Sequence, residues 1–437
     1  MSGELSLRRR NRFRSAAFTA LGILVAAVCQ AQTAVPRSTS NKIVLYASVG
    51  PDLTWYDVDI EHGTLINRGA VTLPANVQEA WPHPSKQYLY VAWSNGGPSY
   101  AGPLSGAASS GNQHGVSTFE IDKASGALHP RGQPASLPSR PIHITGDVPG
   151  THVLVAYNDP SGVTVHRIRP DGTVGSMIKQ PASLDVGIYA HQVRVDPSDK
   201  VVILVTRGNG PAGAKPEDPG ALKVFGYKDG LLTNRASIAP GGGFNFQPRH
   251  LDFHPSRPWV FVTLERQNKL QAYQREPDGS LGSAPLFTKD TLTTPDHIRP
   301  GQAVGTVHMH PDGRFVYVAN RASGTTDFES KPVFVGGENS IAVFRVNQDT
   351  GEPTLVQNAD TRGMHPRTFA LDAGGRILIA ANQMSLAVRE GNRVSTVPAS
   401  LAVFRIGADG TLDFKSNYNV ELGAGRSLFW MGLISLP

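Results

Sequence analysis

One cysteine, Cys29, occurs among 437 residues. It lies in the first 31, and nothing after it can form a disulfide or supply a thiolate nucleophile. A β domain of this size buries enough core to do without such cross-links. Long apolar runs are also scarce. The run at 16–28 is shorter than the roughly 20 residues that a membrane-spanning helix needs. The chain contains no G-x-S-x-G elbow, no H-E-x-x-H pair and no P-loop. Gly208-Asn-Gly-Pro-Ala-Gly213 has the letters of a dinucleotide fingerprint, but Lys215-Pro-Glu-Asp-Pro follows where a helix would be required. The histidines lack the helical spacing of metal ligands, and neither a metal nor a cofactor is expected.

The charge is concentrated at the N-terminus. Arg8, Arg9, Arg10, Arg12 and Arg14 precede the apolar run, and Cys29-Gln30-Ala31 ends on a small residue. This order is that of a secretory signal peptide, expected over 1–31 and cleaved after Ala31. Five arginines and one glutamate leave with it, so the formal charge falls from +6 to +2. The remainder carries no basic field of the kind that nucleic acid or a membrane surface demands. A monomer in the periplasm or outside the cell, without a stable membrane anchor after cleavage, is expected.

Glycine (46) and proline (33) are plentiful and spread along the chain, as suits many short strands joined by turns. A two-part repeat organises them. Its first part is strand, tight turn, strand. Arg249-His250-Leu-Asp-Phe-His-Pro-Ser-Arg-Pro-Trp-Val-Phe-Val aligns with Val307-His308-Met-His-Pro-Asp-Gly-Arg-Phe-Val-Tyr-Val, and further copies start near Ala80, Ile142, Gln192 and Pro366. Its second part is an alternating strand, a glycine turn and a short strand. Ser340-Ile-Ala-Val-Phe-Arg-Val and Ser400-Leu-Ala-Val-Phe-Arg-Ile are near copies. The turn glycines are Gly63, Gly126, Gly172, Gly230, Gly279, Gly351 and Gly410. Seven four-stranded units at this spacing predict an all-β, seven-bladed propeller. Residues 32–41 read as a flexible segment and 42–437 as the propeller. The strand near Arg426-Ser-Leu-Phe-Trp-Met lacks a partner after it, and Lys42-Ile-Val-Leu-Tyr-Ala lacks one before it. Joining them would complete the first blade and leave no open edge in the ring.

Strand direction sorts the connections. Tight turns fall on one face, and the insertions 95–115, 208–220, 322–339 and 384–399 fall on the other, which makes that face a plausible mouth. Polar residues gather on the same rim. The inner strands bring His143, His191, Arg249, His250, His308 and Arg367, and the ends of the second strands bring Glu265, Asn320, Arg321, Asn382 and Gln383. Convergent arginines suit a carboxylate or phosphate, and a nearby Glu or His can move a proton.

Gln247-Pro-Arg-His-Leu-Asp-Phe-His-Pro, His310-Pro-Asp-Gly-Arg-Phe-Val-Tyr-Val-Ala-Asn-Arg321 and His365-Pro-Arg-Thr-Phe-Ala-Leu-Asp with its later Ala-Asn-Gln383 resemble the propeller lactonase family. That family includes bacterial 6-phosphogluconolactonases and fungal carboxy-muconate cyclases. The resemblance covers nearly the whole chain after residue 31 and is strongest from His191 to Gln383. In the cyclases a His, two Arg and a Glu at the channel mouth are implicated in catalysis. By motif position this implies catalytic roles for His191, Arg249, Arg321 and Glu265, with His143, His250, His308, Asn320, Arg367, Asn382 and Gln383 around the substrate. The expectation is an exported lactonase acting on a carboxylate-bearing or sugar-type lactone. A cycloisomerase closing a lactone on a dicarboxylate and a non-enzymatic binding propeller stand as alternatives.

Overall fold

A computed structural model describes residues 42–97 and 111–437. The expected signal peptide, the whole 32–41 segment before the propeller, and most of the 95–115 insertion lie outside them. Seven four-stranded antiparallel sheets make the blades. Their inner strands run in the order Leu428–Ser435, Asn76–Pro82, Pro141–Gly146, Ala190–Val195, Pro248–Phe253, Gln302–Met309 and Met364–Leu371, which we number blades 1 to 7. Blade 1 is the closure: Leu428–Ser435 pairs with Ile43–Val49 from the other end of the propeller.

The second strand of each blade is packed on both faces, which explains its continuous apolar run. Val201–Thr206, for example, is buried at every position. Alternation is lost because neither face meets water. The core divides into seven clusters, one between each pair of adjacent blades. The cluster joining Ile377, Ile379 and Ala381 to Leu45 and Ala47 seals the last blade against the first.

The seven turn glycines all have φ between 64° and 85°. Each also abuts a neighbouring blade, where a β-carbon would collide: at Gly410 it would lie 2.3 Å from the Phe315 ring, at Gly172 2.3 Å from Tyr88. Tyrosines cross the same seams. Tyr46, Tyr90 and Tyr317 donate hydroxyl hydrogen bonds to the carbonyls of Gly126, Gly172 and Gly410. The sequence repeat therefore encodes blade-to-blade contacts as well as turns.

Two of the four long insertions form extra hairpins, Thr325–Phe328 with Lys331–Phe334 and Leu386–Glu390 with Arg393–Val397. Arg389 lies over the Phe328 ring at 3.6 Å and links them. Both follow directly on the strands that end at Ala322 and Met384. Among the described residues no helix is long and apolar enough to cross a membrane.

Candidate functional site

Every inner strand breaks register once near its mouth end. The breaks lie between Val77 and Glu79, Pro141 and His143, Ala190 and Gln192, Pro248 and His250, Val304 and Val307, and Pro366 and Thr368. In blade 1 the break lies between Ser48 and Val49, opposite Phe429. A bulge adds one residue to one strand and re-aims its side chain. Two consecutive residues thus serve the site where an ideal strand would offer only alternate ones. Arg249 and His250 are such a pair, as are His191 with Gln192, Arg367 with Thr368, and Gln78 with Glu79.

Glu265 is the centre of the arrangement. It directly follows the second strand of blade 5, Trp259–Leu264. Its Oε1 accepts from Arg249 Nε at 3.1 Å and from Arg321 Nη2, and its Oε2 accepts from Arg207 Nη1 at 2.7 Å. Arg207, Arg249 and Arg321 come from blades 4, 5 and 6. Burial works to raise the Glu265 carboxyl, but Arg207, Arg321 and Arg249 outweigh it and hold the group well below the usual carboxylate range. Arg249 is only 1% exposed. Burial and Arg321 push its guanidinium down from its ordinary value, and Glu265 opposes them and keeps it charged. Arg249 Nη1 and Arg321 Nε have no partner, so both guanidiniums retain donors to offer.

Histidines line the wall beside this knot. The His191 and His250 rings lie 5.1 Å apart, and those of His250 and His143 lie 6.1 Å apart. All three are kept neutral, held well below the ordinary imidazole value first by burial and then by nearby arginines: Arg249 for His191 and His250, Arg194 for His143. Their Nδ1 atoms are buried and unpartnered. Among the described residues no His, Cys, Asp or Glu group is arranged to hold a metal ion.

The other residues singled out from the sequence fall into three places. Arg367 lies on the lumen wall, donating to the Phe429 carbonyl at 2.9 Å and stacking over the Phe429 ring. His308 sits one pleat deeper than the mouth, 3.6 Å from Asp252, which also holds Arg194. Burial works to raise Asp252, but Arg194 and His308 carry it down to about 2. Asn320 and Asn382 are fully buried and tie strands together: their amides donate to the carbonyls of Thr291 and Thr361 and to the hydroxyls of Ser340 and Ser400. Gln383 is also buried, with its amide 3.4 Å from Ser427 Oγ.

Three residues absent from the sequence expectation belong to the site. Arg207 occupies the position in blade 4 that Glu265 and Arg321 occupy in blades 5 and 6, so repeat alignment could have found it. His365 accepts a hydrogen bond from Arg321 Nη1 at 2.8 Å. Glu79 follows the blade 2 bulge at the register position of His143 and His250, a displacement that leaves no mark in the letters.

The fold and site define a seven-bladed propeller in which arginines from three adjacent blades converge on one carboxylate. The chain matches the family described as "Lactonase, 7-bladed beta-propeller" over residues 53–396, and it belongs to that family. It is 29% identical over 310 residues to the 6-phosphogluconolactonase of Bacillus subtilis, spanning 67% of this chain and 78% of that one. It is 27% identical over 327 residues to the 6-phosphogluconolactonase of Pectobacterium carotovorum, spanning 74% and 82%. Among solved structures, the periplasmic gluconolactonase of Pseudomonas aeruginosa superposes with a TM-score of 0.64 at 18% identity, covering 91% of this chain and 100% of that one.

Proposed function

We propose that this propeller is an exported lactone hydrolase, acting at the channel mouth on a carboxylate-bearing or sugar-type lactone. The observation that carries the reading is the Glu265 knot: one carboxylate gripped by Arg207, Arg249 and Arg321 from three blades, with guanidinium donors left over. Arg367 adds a fourth cation close enough to act on Arg249. One negative charge among four positive ones favours an anionic substrate, or the oxyanion that forms when water attacks a lactone carbonyl. The neutral histidines supply uncharged polar groups suited to sugar hydroxyls. Both relatives are named 6-phosphogluconolactonase, a lactonase name, which favours opening over closing the ring. Export is supported by the cationic and then apolar order of the first 31 residues and by the structural likeness to the periplasmic gluconolactonase of Pseudomonas aeruginosa.

The chemistry divides between the two ends of the knot. Glu265 is committed to three arginines and is a poor proton acceptor. Neutral His191 is the better base: it takes a proton from the attacking water, and Glu265 partly offsets the burial and Arg249 that oppose the imidazolium. Arg249 and Arg321 hold the substrate carboxylate or the oxyanion. Hydrolysis of δ-gluconolactone and muconolactone by the purified protein tests this. Arg321→Ala should lower kcat by about a hundredfold, the usual cost of one oxyanion donor, and Glu265→Gln should also be impaired. A wild-type protein inert to every lactone in a broad panel, or unchanged rates in both variants, would remove the assignment.

A further inference from the structure

Ring opening leaves one requirement that the knot does not meet. When the acyl C–O bond breaks, the ring oxygen departs as an alkoxide and needs a proton. Every arginine nearby is a poor source, so the proton comes either from the imidazolium left on His191 or from a second acid. We propose, on the basis of the lactonase reading, that Glu79 is the acid that delivers that proton.

Glu79 follows the extra residue Gln78 on the inner strand of blade 2, at the register position that His143 and His250 hold in blades 3 and 5. Each of those two histidines stands on the lumen wall, and Glu79 stands there with them. Its side chain is partly buried. Arg367 from blade 7 and Arg249 from blade 5 face it, blade 1 presents the Trp430 side chain as a hydrogen-bond partner, and blade 3 presents neutral His143 at the same level. Arg249 therefore acts on both carboxyl groups, lowering Glu79 and bonded to Glu265.

The two carboxyls have opposite environments. Glu265 has three ion pairs, and among the described residues Glu79 has none. Burial dominates at Glu79 and pushes it up to about 8, with Arg367, Trp430 and Arg249 only moderating the effect. Of two carboxyls driven apart in this way, the one with the raised value is the proton donor. Glu79 thus carries a proton at neutral pH.

The proton balance closes. Water gives one proton to His191 and its oxygen bonds to the carbonyl carbon. The ring C–O bond then breaks, and the Glu79 proton moves to the departing oxygen. The product acid loses its proton to solvent, and the proton on His191 returns to Glu79 through lumen water.

The test compares leaving groups. On the aliphatic lactone that the wild type turns over fastest, Glu79→Gln should lose about 10²- to 10⁴-fold in kcat, the range of general acid catalysis. On dihydrocoumarin the ring oxygen leaves as a phenoxide and needs no acid, so the variant should keep nearly its full rate. The fall in wild-type kcat above about pH 8 should vanish in the variant. This limb, measured on the aliphatic lactone, decides the matter alone if dihydrocoumarin is not a substrate. Glu79→Asp, which keeps the carboxyl, should recover part of the lost rate and decides if Glu79→Gln does not fold. Equal losses on both lactones, an unchanged Glu79→Gln, or a retained alkaline limb would each overturn the role of Glu79 alone. A wild type inert to all lactones would overturn the hydrolase reading itself.

Discussion

Arg321 Nη1 donates to His365 Nε2 at 2.8 Å, and this one hydrogen bond fixes the tautomer of the histidine. A guanidinium has no acceptor, so His365 Nε2 must be bare and its proton must sit on Nδ1. Burial and Arg321 hold the ring well below its ordinary proton affinity, which agrees with a neutral acceptor. Arg321 is thereby anchored at two points, by Glu265 and by His365, and its plane is set before any substrate arrives.

His365→Asn should loosen that plane. The backbone at His365 has φ of 59°, a left-handed conformation that asparagine tolerates, so the fold should survive the change. A hydrogen bond to a charged group contributes about 1.5–3 kcal/mol, so kcat/KM should fall roughly tenfold to a hundredfold. Steady-state kinetics with a parallel thermal melt separate the outcomes. An unaltered kcat/KM would mean that Glu265 alone orients Arg321.

Removing Glu265 should reach beyond activity. Glu265→Ala leaves Arg207, Arg249 and Arg321 facing one another without their shared anion, and Arg249 is almost wholly buried. Breaking a buried ion pair by deleting one partner costs about 3–5 kcal/mol. Urea unfolding should show a loss of that order. The double variant Glu265→Ala with Arg249→Met should recover part of it, because one uncompensated charge goes too. If the double variant is no more stable than the single one, the burial of Arg249 is not what the carboxylate offsets.

The propeller was legible because its physics is local and repeated. Glycine turns, paired apolar strands and their sevenfold count each appear in the letters, and so does the closure of Lys42-Ile-Val-Leu-Tyr-Ala by the C-terminal strand. The site was legible only where a residue type is unusual for its repeat position, as with Glu265 and Arg321 after apolar strands. Asn320 and Asn382 stand one residue earlier in the same repeat and looked equivalent, yet they bond to backbone and serine hydroxyls between strands. The bulges account for the remainder. A one-residue insertion changes which side chains face the lumen, and alternation counted from either end of the strand misses it. Glu79 was overlooked for that reason.

The turn glycines permit a paired comparison. Gly410 and Gly391 both have positive φ, 82° and 61°. A β-carbon at Gly410 would sit 2.3 Å from the Phe315 ring, whereas at Gly391 nothing lies within 4 Å. Gly391→Ala should cost only the backbone strain of about 1–2 kcal/mol. Gly410→Ala should add about 1–3 kcal/mol of overpacking in the seam between blades 6 and 7. Equal midpoints in urea for the two variants would show that the seam yields freely.

Stability should peak near pH 6.5, and the reason lies in the opposite shifts at the site. His143, His191, His250 and His365 have folded values well below the ordinary 6.5. Below pH 6.5 the unfolded chain protonates them and the folded chain does not, so stability falls with pH, by about 1.4 kcal/mol per unit for each fully coupled histidine. Glu265 acts in the same direction lower down: its folded value is depressed from 4.5, and its contribution is lost as the pH drops from there. Glu79 acts in the other direction. Its folded value is raised from 4.5 to about 8, so its contribution is full below 4.5 and is lost as the pH climbs to 8. Between 4.5 and 6.5 four histidines outweigh one carboxyl. Above 6.5 Glu79 is left unopposed among these groups, and stability declines. Urea midpoints from pH 5 to 8.5 should therefore rise and then fall, and Glu79→Gln should abolish the fall while leaving the acid side intact. A wild-type midpoint that keeps rising through pH 8 would show that Glu79 ionises freely in the lumen.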